Sequence, residues 1–245
     1  MRKAILSIGL LAIGASSAFA QNTTYSMRSK DSALRPRYKK PEVCNISVGL
    51  GASSLQLDEF NAAVMRTATP AVKDDAYFAF NVGFHYRSST DRIGTDLNIS
   101  ALTRSQEFKS GLEATQAHTF VDFSVGYIAF ENYHNLFMPS LGVGVANSWV
   151  NYQADMSNAS FSQLTNLTGE RNFRSQWGVY IIPKLTYEFK IPVSDDHVQS
   201  VGINLGYRVG LQNSEWRVGN SNAQKVNDAP KFDASGFIAT VFYKF

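Results

Sequence analysis

Arg87, Asp96, Arg104, Asp122, Lys184, Glu188, Arg208 and Lys244, together with His85, stand in segments where apolar residues recur at every second position and the charge takes an alternate one. In an extended strand successive side chains point to opposite faces, so these groups share the less apolar face. Five cations, three carboxylates and a histidine are thus turned the same way. Charges that are enclosed must pair or stay hydrated. The expectation is an interior ionic network in which Lys184 and Arg208 meet Asp96, Asp122 or Glu188. A selectivity filter in a narrow pore uses the same residue types, and counting residues does not separate the two.

Catalytic chemistry is poorly supplied. His118 shares the parity of Asp122, which makes it an inward structural histidine, and no serine nucleophile stands at a recognisable spacing from it. His134 and His197 fall in expected turns. No metal-ligand or phosphate-loop spacing occurs. Cys44 is the only cysteine, so an intrachain disulfide is excluded. The sequence predicts a protein that is not an enzyme, with no catalytic residue, no metal site and no cofactor.

Eight segments must position these side chains. The clearest is QSVGINLGYRVGLQ, where Val201, Ile203, Leu205, Tyr207, Val209 and Leu211 take one parity and Gly202, Asn204, Gly206, Arg208 and Gly210 the other. Similar stretches surround Val48, Phe80, Ile99, Phe123, Val143, Ile181 and Val241. In water a strand face of six apolar residues needs a core to cover it. The opposite face, built of Gly, Ser, Asn and charges, is too polar to be that core, so the apolar face is assigned to lipid. Beyond residue 20 the longest apolar run is Ala76 to Phe80, too short for a membrane-spanning helix. A closed barrel is the remaining way across.

The connections support that plan. Long gaps near 57–75, 109–117, 154–173 and 213–233 alternate with shorter ones at SSTDR, at ENYHNL and around IPVSDDHVQ. Long loops at one end and short turns at the other are the usual plan of an outer-membrane barrel. Aromatic residues collect at both ends of the outward face: Tyr86, Phe137, Tyr187 and Phe189 at the turn end, Trp149 and Trp177 at the loop end. Such girdles lie at headgroup depth. The predicted fold is all-β, an eight-stranded antiparallel up-and-down transmembrane β-barrel over residues 44–245. Two of its polar loops, ADMSNASFSQLTNLTGERNF and SEWRVGNSNAQKVNDAPK, are candidate contact surfaces.

With this strand pattern and the closing residues FYKF, the chain resembles the small eight-stranded outer-membrane proteins of Gram-negative bacteria that share the plan of OmpA, OmpX and OmpW. The resemblance implies the fold and the compartment. It also implies that Tyr243 and Phe245 form the signal read by the barrel assembly machinery. Some members of this scaffold class act on lipid A with a serine and histidine pair near the outer rim, a pattern His118 does not complete in the sequence.

Residues 1–20, MRKAILSIGLLAIGASSAFA, read as a cleaved signal peptide for Sec export, with Arg2 and Lys3 before an apolar stretch and Ala18 and Ala20 at the cleavage site. Its removal leaves 21 basic against 20 acidic residues, a balance that argues against nucleic acid as a partner. Residues 21–43 read as a polar, basic periplasmic tether. Outer-membrane lipid, lipopolysaccharide and the assembly machinery are the expected partners, beside a surface or periplasmic protein that the sequence does not name. The expected role is a non-enzymatic barrel displaying surface loops, in adhesion, envelope integrity or surface interaction. The alternatives are a narrow pore or transporter for small or apolar solutes, and a secretion-system accessory comparable to the Bacteroidota barrel PorT.

Overall fold

A computed structural model of the chain describes residues 43–88, 92–154, 171–194, 197–212, 214–219, 224–225 and 229–245. The expected signal peptide, nearly all of the tether and the loop through 155–170 lie outside the described residues. Eight strands build the body: β1 (Val43–Ser53), β2 (Tyr77–Arg87), β3 (Ile93–Glu107), β4 (Leu112–Tyr127), β5 (Asn135–Ala154), β6 (Arg171–Ser194), β7 (His197–Gln212) and β8 (Gly236–Lys244). Each pairs antiparallel with its sequence neighbours, and β8 returns to pair with β1 from Ser47 opposite Lys244 to Ser53 opposite Ile238. The sheet therefore closes with no free edge along this seam, so every strand has backbone partners on both sides.

Alternation in the sequence becomes alternation in exposure. Along β2 buried residues alternate with exposed or half-buried ones from Tyr77 to Tyr86, and β8 does the same from Gly236 to Lys244. On β7, Val201, Ile203, Leu205, Val209 and Leu211 are exposed while Gly202, Asn204, Gly206 and Arg208 are buried. Eight strands leave an interior that side chains fill, with small residues facing large ones. A Cβ on Gly144 would stand 2.5 Å from the ring of Tyr180, and one on Gly202 would stand 2.3 Å from the ring of Phe242.

Two connections are shorter than the sequence suggests. β3 and β4 stay paired as far as Glu107 opposite Glu113, and only Phe108–Gly111 turns the chain, with Gly111 at φ +72°. β6 and β7 likewise extend until residues 195–196 alone separate them. Pairing here continues after the apolar alternation of the sequence has faded. That is why residues 109–117 look like a loop.

The β1–β2 connection differs more. It holds helix α1 (Asp58–Met65), with Asp58 and Glu59 in its first turn, where acidic groups suit the helix dipole. Phe60 and Val64, one turn apart, are buried at the loop end of the lumen. Asn61 clamps the following chain: its Nδ2 donates to Val72 O at 2.8 Å and its Oδ1 accepts from Val72 N at 2.9 Å. From the β7–β8 connection, Trp216 packs 4.4 Å from the Phe60 ring and Phe232 packs 5.6 Å from Trp216. These two loops, read as polar surface in the sequence, supply much of the core. Trp216 of SEWRVGNSNAQKVNDAPK is 1% exposed, so this part of the expected contact surface faces inward.

Candidate functional site

The lumen has two layers. Toward the turn end, three carboxylates face three cations. Glu188 of β6 accepts from Lys244 of β8 through both oxygens at 2.5 Å and from Arg87 of β2. Ser200 Oγ donates to the same carboxylate at 3.3 Å. Lys184 of β6 stands 3.5 Å from Asp122 of β4 and 3.9 Å from Asp96 of β3. Asp96 also lies 2.7 Å from His85 Nδ1, whose Nε2 is 2.7 Å from Ser47 Oγ, and Asn98 donates to Asp122 at 3.3 Å. All of these side chains except Arg87 are buried. The ion pairs of Glu188 and Lys184 join strands that are not neighbours, so they cross the lumen and tie β6 to β2, β3, β4 and β8, whereas the contacts of Ser47 with His85, His85 with Asp96, Asn98 with Asp122 and Ser200 with Glu188 run between paired strands. A small apolar cluster of Ile128, Leu136 and Met138 sits at the same end.

Two residues expected in this network lie elsewhere. Arg208 meets no carboxylate among the described residues; its Nη2 donates to Ser53 Oγ at 2.6 Å and to Ser54 O at 2.8 Å, and its guanidinium lies 3.8 Å over the Phe120 ring. It sits in the loop-end layer, too far along β7 to reach the acids, and is held by a carbonyl, a hydroxyl and an aromatic face. Arg104 reaches Asp75 in the β1–β2 connection and covers Tyr77 at 5.8 Å. By donating to that carboxylate, the Arg104 guanidinium holds Asp75 below the ordinary carboxylate value. Arg104 stands near the loop end of β3, at the rim of the barrel.

The loop-end layer is largely apolar, contrary to the expectation of a polar interior throughout. Leu102, Phe120, Val150, Tyr152, Tyr180 and Ile182 point inward from the strands and meet Leu55, Phe60, Val64, Val72, Trp216 and Phe232 from the connections. His118 is buried here, its Nδ1 2.6 Å from Ser148 Oγ and its ring edge-on to Tyr77 at 5.1 Å. The serine that sequence spacing did not reveal stands opposite it across the β4–β5 pairing. No carboxylate among the described residues orients the imidazole. In this setting the pair is a cross-strand hydrogen bond inside packed side chains.

The outer wall carries the apolar faces. Val48, Phe80, Ile99, Phe123, Val143 and Leu205 are all exposed around its circumference. Tyr86, Tyr187 and Phe189 are exposed near the turn end, where Phe137 is half-buried. Tyr243 and Phe245 lie there too, their ring centroids 6.1 Å apart, with Tyr243 Oη donating to Gln199 at 2.5 Å. Trp177 is 64% exposed at the loop end and Trp149 is half-buried beside it. Trp177 marks a feature that alternation conceals: it has φ +62°, and Asn147 of β5 faces both Gln176 and Trp177, so β6 bulges here and its inward parity shifts from Gly178 to Ser175.

No family model and no curated protein matches the chain. Solved structures do. A major outer membrane protein from Thermus thermophilus superposes with a TM-score of 0.50 at 10% identity, over 83% of this chain and 98% of that one. Its likeness and the closed strand order agree. The fold is that of an eight-stranded outer-membrane β-barrel. Ail, the attachment invasion locus protein of Yersinia pestis, solved with the heparin analogue sucrose octasulfate, gives a TM-score of 0.42 at 12% identity over 82% of this chain and 97% of its own. OprG of Pseudomonas aeruginosa gives 0.39 at 12% identity over 84% and 98%.

Of the residues that matter to this barrel, sequence reasoning missed α1, Trp216, Phe232 and the bulge. The helix left a trace: Phe60 and Val64 are four apart in DEFNAAVM, behind two acids. The bulge left none that a single sequence displays.

Proposed function

We propose that the protein is exported by the Sec route, loses residues 1–20 and assembles in the outer membrane with its loop end outward. There it serves as a closed, non-enzymatic scaffold that presents its strand connections for adhesion, envelope integrity or surface interaction. Tyr243 and Phe245 are the residues we assign to recognition by the assembly machinery. The observation that carries the reading is the doubly filled lumen. A charge network whose members satisfy one another lies at one end, and α1 with Trp216 and Phe232 lies at the other, an arrangement suited to holding a barrel shut. Planar-bilayer recording of the refolded protein tests this. The expected trace is flat; a steady conductance that rises with inserted protein would overturn the closed-scaffold reading and favour a narrow pore.

A further inference from the structure

At the loop end the outer wall changes character beside Trp149. Trp149 of β5 stands opposite Arg174 of β6, and Arg174 stands opposite Arg217 of the short strand Arg217–Val218, which pairs with β6. The backbone register carries the row on to Lys225. Directly opposed residues are near neighbours, and like charges there destabilise the pairing. Among the described residues no carboxylate lies within ion-pair distance of Arg174 or Arg217, whereas Arg87, Arg104, Lys184 and Lys244 each have an acid. Two buried donors in this row, Arg174 Nε and Trp149 Nε1, also have no hydrogen-bond partner.

Beside the row lies a groove of about 340 Å³ whose lining includes Thr119, Asn147, Trp149, Arg174 and Gln176. It borders the bulge, where Asn147 Oδ1 accepts from Trp177 N at 3.1 Å. One outward step toward the turn end the wall becomes aliphatic again, with Val121, Val145 and Val179 in register. The groove therefore sits where an apolar wall gives way to polar side chains, flanked by two tryptophans, which is headgroup depth.

We propose that this groove binds the phosphate-bearing headgroup of a membrane lipid. Arg174 and Arg217 donate charge-assisted hydrogen bonds to the phosphate, and the acyl chains descend over Val121, Val145 and Val179. A phosphate monoester carries close to two negative charges, which offsets two facing guanidinium groups, and the planar fork of arginine suits its oxygens. Lipid is the source because the groove opens on the outward wall. The proposal rests on the membrane reading above.

The test uses refolded protein in phosphatidylcholine vesicles doped with dioleoyl phosphatidic acid, with co-purifying lipid measured by native mass spectrometry. Replacing both arginines, R174Q/R217Q, is expected to lower bound phosphatidic acid about tenfold. Arg66→Gln, which removes an exposed cation at the same end, is expected to leave it unchanged. If the double variant does not fold, R217Q alone decides, because Arg217 lies outside the eight wall strands. Equal retention by wild type and variant overturns the site. Displacement of the lipid by inorganic phosphate at matched concentration also overturns it, since a soluble anion would then be the ligand. Failure of wild type to insert into vesicles defeats the membrane reading itself, a result distinct from insertion without lipid selectivity.

Discussion

The turn-end and loop-end layers of the lumen fill the same cylinder with opposite chemistry. Near the turns the filling comes from the strands themselves, as Glu188, Lys244, Arg87, Lys184, Asp96 and Asp122 meet across the barrel. Near the loops much of it comes from the connections, with Phe60, Val64, Trp216 and Phe232 laid against Phe120, Tyr152 and Tyr180. The first layer is built of long-range polar ties whose loss leaves an unmatched charge. The second depends on apolar area and is contributed in part by segments the wall does not need. The difference teaches that one end of this barrel is fastened from within and the other is stoppered.

The layers should break in different ways. Glu188→Gln removes the acid shared by buried Lys244 and half-buried Arg87, and stranding a buried cation costs roughly 3–5 kcal/mol. Urea unfolding in lipid vesicles should register that loss for the whole barrel. A barrel of unchanged stability would mean that water, not Glu188, satisfies those cations. Phe60→Ala should cost about 3 kcal/mol, the lower part of the range for emptying a phenylalanine site, because a connection can partly relax. Here the loss should be local: hydrogen exchange should rise in α1 and near Trp216 while urea unfolding of the wall barely moves. Whole-barrel destabilisation by Phe60→Ala would erase the distinction between tie and stopper.

The smallest effect belongs to the rim. Arg104 lowers the pKa of Asp75, so the pair's contribution is present above the carboxylate's unfolded value and fades as pH falls through its lower folded value. Exchange protection of the β1–β2 connection should therefore differ between wild type and Asp75→Asn near neutral pH and converge under acid conditions. A difference that persists in strong acid would show that the charge of Asp75 is not what matters.

Period two made the wall legible. Val201 to Leu211 alternate with glycine, asparagine and arginine, and alternation alone separates the two faces of a strand. The same parity placed Lys184, Asp96, Asp122, Glu188, Lys244 and Arg87 on one side of their strands. It did not determine which charge meets which. Arg208 and Glu188 share an inward face, yet the stagger of the strands sets them at different depths, and depth depends on registers fixed only when the barrel closes. Nor did parity show that α1 turns into the lumen. An isolated eight-residue helix is marginal by itself, and Phe60 acquires a place only once Phe173 and Trp216 stand around it. The bulge at Trp177 and the facing pair Arg174 and Arg217 are likewise products of pairing. What the sequence by itself determined was which side of each strand prefers lipid, because alternation is local. What only the tertiary structure decided was depth and partnership inside the cylinder, because these depend on strands far apart in the chain.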